Sequence, residues 1–164
     1  AAVGHVAAPP NVAAAGLIAY ALGLAGVAVL LPVYARSRLT WAGPRVLQLL
    51  AGLAWWIAMT IALAVSTVRQ TSDRTALQAL VIGGLAQILI ASLAYLVPVL
   101  RGGGHQRLTA GFAATRSWLS FVAGNAAGLA AFIGAHRLLA VTLIVWLADT
   151  TVRALRVLLG SPTS

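Results

Sequence analysis

From Val81 to Leu100 the chain runs for 20 residues without a charge, then breaks into Arg101, three glycines and His105. A soluble core helix is apolar along one stripe, whereas a hydrocarbon layer about 30 Å thick needs about 20 apolar residues at about 1.5 Å each. The stretch Val81–His105 therefore reads as a membrane helix. Within it, Gly83, Gly84, Gln87, Ala91, Ala94, Tyr95 and Pro98 recur three and four apart, while Leu85, Leu89, Leu93 and Leu96 lie off that stripe. Residues so spaced share a helix face, so the small and polar ones are expected to face protein and the leucines lipid.

The rest of the chain repeats the pattern. Of its 164 residues, 61% are hydrophobic and 8% charged, which departs from the composition of soluble domains, about one quarter charged. One soluble core cannot hide that much apolar surface, so lipid is the expected solvent. The expected fold class is all-α, a polytopic transmembrane helical bundle of five spans, with four as the fallback. An extramembrane segment, 1–11, precedes spans at 12–34, 46–68, 76–100, 117–135 and 138–159, and 161–164 is a tail. The first run lacks a basic leader and is too long for the core of a secretory signal. Asn11 is the expected cap of the first helix, and Ala15, Ala19 and Gly23 give that helix a small face. Ser72 and Asp73 offer caps for the third. The fifth run ends in Asp149, Arg153 and Arg156, so only about 15 residues of it need hydrocarbon, about 22 Å of helix. Asp149 and Arg153 are one turn apart and are expected to pair.

Charge sets the orientation. There are 11 basic residues, all Arg, against two acids. With the N-terminus outside and the C-terminus inside, Arg36, Arg38, Arg45, Arg101, Arg107, Arg116, Arg153 and Arg156 collect inside, and Arg69, Arg74 and Arg137 outside. That asymmetry follows the positive-inside rule. Arg36, Arg38, Arg45, Arg101, Arg107 and Arg116 read as membrane-interface residues. The expected location is the cell membrane, multi-pass, in a bacterial plasma membrane. No basic helix face interleaved with aromatics exists, so nucleic acid is not an expected partner.

Few residues offer chemistry. Gln87 and Asn125 are amides at depth, and Asn125 lies in Gly124-Asn125-Ala126-Ala127-Gly128, a small-xxx-small motif. They read either as interhelical hydrogen bonds or, with Tyr95, as a polar site for a small solute or proton. The candidate packing or polar site is thus Gly83, Gly84, Gln87, Ala91, Tyr95, Gly124, Asn125 and Gly128. His5, His105 and His136 have no metal-binding spacing, there is no cysteine, and two scattered acids form no catalytic pair. Trp55-Trp56, in mid-span, reads as bulky packing or lipid contact. Gly102–Gly104 lacks the residues of a phosphate loop and reads as a flexible exit within a connecting region, Arg101–Arg116.

Residues 86–104, AQILIASLAYLVPVLRGGG, resemble the C-terminal membrane region of actinobacterial NnrS-like, haem-copper-oxidase-related membrane proteins. There a Gln-bearing helix ends in Tyr-Leu-x-Pro-Val and glycines. The resemblance implies a larger helical protein associated with haem, copper and nitrogen-oxide responses. It carries no metal ligand over to any position here, so haem or copper would come only with partners or further segments.

The expected function is a non-catalytic membrane subunit or domain that packs against other integral membrane subunits or a second copy, in a respiratory or metal-containing assembly. A fragment of a larger haem- or copper-related protein and a transporter component are the alternatives.

Overall fold

The computed structural model describes residues 9–34, 43–101 and 104–159. Residues 1–8, with His5, the arginines Arg36 and Arg38, the pair Gly102 and Gly103, the Arg107 side chain and the tail lie outside that description. Among the described residues the fold is all-α. Its helices are α1 (Pro10–Tyr34), α2 (Pro44–Val68), α3 (Arg74–Arg101), α4 (Gly104–Ala114), α5 (Trp118–Phe132) and α6 (His136–Leu159).

Local chemistry sets the ends of these helices. Proline opens α1 and α2, since its fixed φ suits the first helical position. Asn11 accordingly lies inside the first turn of α1 rather than capping it, and the amides of Val12 and Ala13 bond to the Pro9 carbonyl. Asp73 caps α3 by accepting from the Ala76 amide at 2.9 Å, and Ser117 caps α5 by accepting from the Ser120 amide at 3.0 Å. The turn from α5 to α6 needs Gly134 at φ 71°, with the Ala135 amide reaching back to the Ala130 carbonyl at 2.9 Å.

Inside α3, Leu80–Ala86 winds as a π-helix. Residues four apart on a regular α-helix drift about 40° per turn, so Ala79, Gly83, Gln87 and Ala91 would spread over about 120°. A wider turn adds roughly one residue and cancels most of that drift. All four are buried.

The bundle is antiparallel between neighbours in the chain. Gly52 of α2 meets Gly84 and Ile88 of α3, whereas Trp55 of α2 meets Gly128 of α5 further toward the opposite end. Alanine dominates the core. Met59, Ala76, Ala79 and Ala131 form one cluster, and Ala123, Ala127 and Trp146 form another. Leucines face outward: Leu89 and Leu93 are 52% and 53% exposed. Four helices are long and apolar enough to cross a membrane: Pro10–Leu30, Pro44–Val68, Arg74–Arg101 and His136–Leu159. Lipid covers such faces without the cost water would impose. This is a helical membrane protein.

Several expectations change on folding. The expected span 117–135 is the short one, since α5 has 15 residues, while α6 keeps the expected course of 138–159 through Asp149 and Arg153 with 24. Residues 104–114 form a helix rather than an open connection, because Gly111 lets it lie on Pro98 and Phe112 stacks on Tyr95 with 5.3 Å between ring centres. The small face Ala15, Ala19 and Gly23 of α1 is exposed; the buried residues are Ala14 and Ala21, set against α2.

Candidate functional site

Two polar layers cross the bundle. In the middle layer the π-helical turn brings Gly83 and Gly84 against α2 and α5. A Cβ on Gly83 would stand 2.8 Å from the Trp55 ring and 3.2 Å from Gly128 Cα, and a Cβ on Gly128 2.9 Å from Gly83 Cα. The two backbones therefore touch, and only glycine fits both positions. Gly124 leaves room for Trp146 and for the Gln87 amide, which would lie 3.0 and 3.1 Å from an added Cβ.

Close approach brings the two predicted amides together. Asn125 Nδ2 donates to Phe121 O at 2.8 Å and reaches Gln87 Oε1 at 3.5 Å, while Gln87 Nε2 donates to Gly83 O at 2.9 Å. Trp55 Nε1 completes the layer by donating to Asn125 Oδ1 at 3.0 Å. The mid-span tryptophan is thus both packing and a hydrogen-bond donor, a role its position in the sequence does not reveal. Every group in this layer is neutral, and the bonds tie α2, α3 and α5 together.

Of the remaining stripe residues, Ala91 is buried, but Tyr95 is 49% exposed and turns away to Phe112. Tyr95 therefore does not join the amides. An extra turn of helix and its own bulk place it at the rim, where an aromatic ring on α4 covers it.

The second layer, near the N-terminal end of α2, was only partly legible. Gln48, a third amide with no sequence pattern to single it out, donates to Ser120 Oγ at 3.2 Å, and Trp146 Nε1 donates to the same oxygen at 2.9 Å. Ser120 is fully buried. One turn beyond, Ser117 Oγ donates to Asp149 Oδ2 at 2.9 Å, and Arg153 Nε pairs with that oxygen at 2.9 Å, the ion pair expected from spacing. Arg153 also caps α4, with Nη1 donating to Thr115 O at 2.9 Å.

Arg45 does the same one turn earlier, with Nη2 donating to Phe112 O. Cations suit a helix C-terminus, where carbonyls lack partners and the dipole is negative. Burial separates Arg45 from its expected interfacial companions: it is 6% exposed, whereas Arg101 and Arg116 are exposed. The helix that covers it is α4, in the stretch whose glycines and arginines suggest an open connection.

The helix directions put Arg45, Arg101, Arg116, Arg153 and Arg156 at one end of the bundle and Arg69, Arg74 and Arg137 at the other. His105, on α4, and His136, at the start of α6, are exposed and lie at opposite ends. No group of three metal-ligating side chains occurs among the described residues.

What the arrangement can do is hold helices, shield two polar layers from lipid and present apolar and small-residue surfaces outward. The class it defines is a helical membrane bundle crossed by an amide layer and by a second layer of amide, serine and arginine groups. No family model, curated protein or solved structure matches the chain.

Proposed function

We propose that this chain is a non-catalytic integral membrane subunit or domain that packs against other membrane-spanning chains. One observation carries the reading: α1 carries an open glycine face. A Cβ added at Gly16, Gly23 or Gly26 meets nothing within 4 Å, and Ala15 and Ala19 lie on the same exposed side. Glycine on a face that meets only lipid loses side-chain contact and weakens the helix. Against a second helix it allows close backbone approach, the basis of small-xxx-small association in membranes. A shallow groove of about 320 Å³, lined by Ala51, Ala54, Trp55, Ala58 and Asn125, offers a second small-residue surface.

The unequal arginines support an N-out, C-in orientation in a bacterial plasma membrane. The likeness of residues 86–104 to NnrS-like proteins supports a respiratory or metal-containing setting, with any haem or copper held by partner chains.

Gentle solubilisation of native membranes followed by sizing tests the proposal. A particle larger than the monomer is expected, and Gly23→Leu should reduce it to the monomer. A strictly monomeric, partner-free native particle overturns it.

A further inference from the structure

Arg45 is a buried cation that pairs with no acid among the described residues. The chain has only two acids. Asp73 caps α3 and accepts from Thr75 Oγ1 at 2.9 Å, and Asp149 is engaged by Ser117 and Arg153. Arg45 donates from Nη2 to the Phe112 carbonyl and holds its guanidinium 5.1 Å from the Phe112 ring centre. Its Nε is buried with no hydrogen-bond partner among the described residues.

Two further features at that point carry the same sign. Arg116 Nε lies 3.5 Å from where a Cβ on Gly43 would stand, two residues before Arg45. The positive end of the α2 dipole lies at the same point, since Arg45 is the second residue of that helix.

Beside this cationic corner runs a groove of about 360 Å³ between α2 and α3, lined by Arg45 with Val46, Leu49, Ala91, Ser92, Tyr95 and Leu96. Its walls are almost wholly apolar, and Arg45 is the charged residue among them. A buried arginine needs an anion or a set of acceptors to offset desolvation. Guanidinium donors and helix N-termini are suited to phosphate.

We propose that this groove binds an anionic phospholipid, with its phosphate on Arg45 at the α2 N-terminus and an acyl chain along Val46, Leu49 and Leu96. Basic pockets between membrane helices recognise lipid headgroups in this way. Free phosphate offers the same oxygens but leaves the apolar wall uncovered. The site is on α2 and α3 and does not depend on the α1 face or on any protein partner.

Native mass spectrometry of the purified full chain, titrated with phosphatidylglycerol, phosphatidylcholine or inorganic phosphate, tests this. Phosphatidylglycerol should be retained roughly tenfold more tightly than phosphatidylcholine, and inorganic phosphate at matched concentration should not displace it. Arg45→Gln should abolish the preference. Because Arg45 also holds the Phe112 carbonyl, Ser92→Trp provides a second variant that fills the groove and keeps the cation, and it too should lose the lipid. Equal retention of the two lipids overturns the proposal, as does a preference that survives either substitution. Displacement by inorganic phosphate would assign the corner to a free anion and overturn the lipid reading.

Discussion

Glycine does opposite things on two surfaces of this bundle. Between α3 and α5, Gly83 and Gly128 bring two backbones into contact, and Trp55 closes over them. On α1, Gly16, Gly23 and Gly26 face open space. The sequence signal is the same in both places, small residues four apart. It marks where a helix can be approached closely, while topology decides whether the approaching helix belongs to the same chain. On α1 one residue, a rotation of about 100°, makes the difference: Ala14 is buried and Ala15 is exposed.

Identical substitutions on the two surfaces should break or confirm that contrast. Gly128→Ala forces a methyl to 2.9 Å from Gly83 Cα, a backbone atom that cannot swing aside. It should destabilise the bundle by about 1–3 kcal/mol, read as a lowered thermal midpoint in detergent. A midpoint within error of the unsubstituted protein would mean that the backbones do not touch.

Ser120→Ala should come next. It removes the shared acceptor of Trp146 Nε1 and Gln48 Nε2 inside the bundle. Leaving buried donors unmatched costs about 1–3 kcal/mol per group, reduced here because Gln48 can rotate. A loss of roughly 1–2 kcal/mol in the same denaturation assay is expected.

Trp55→Phe keeps the ring over the glycines but deletes the donor to Asn125. Hydrogen bonds between membrane helices average about 0.6 kcal/mol, so a drop of that order should appear. A much larger one would show that packing, rather than the bond, dominates at Trp55.

Gly23→Ala is expected to have the smallest effect on stability. With nothing within 4 Å of the new methyl, the midpoint should stay level or rise by at most about 1 kcal/mol through helix propensity. If Gly23→Ala and Gly128→Ala cost the same, the two surfaces are alike and the contrast fails.

Much of this architecture is legible in the residues. The runs around Trp55, Gln87 and Val145 are too long and too apolar for water, so helices in lipid follow. The alternation of Gln87 and Ala91 with Leu89 and Leu93 foretells which side of α3 is buried, because amides and small residues gain from contact with other helices while leucine is at home in lipid. The pairing of Asp149 with Arg153 follows from one turn of helix. Tyr95 shows where such reading stops: on the stripe by spacing, it is half exposed because the phenol turns to Phe112 on a helix of its own. Gln48 is missed because a single amide in an apolar run gives no hint of its partner 72 positions away.

The sequence by itself determined the solvent, the helical class and the inward face of α3, since these depend on transfer free energy and on a period of about 3.6 residues. Tertiary structure alone decided three things. It chose the buried side of α1, wound Leu80–Ala86 wide to keep the stripe on one face, and closed α4 over Arg45. Each depends on contacts between residues far apart in the chain, whose energies arise only once the helices meet.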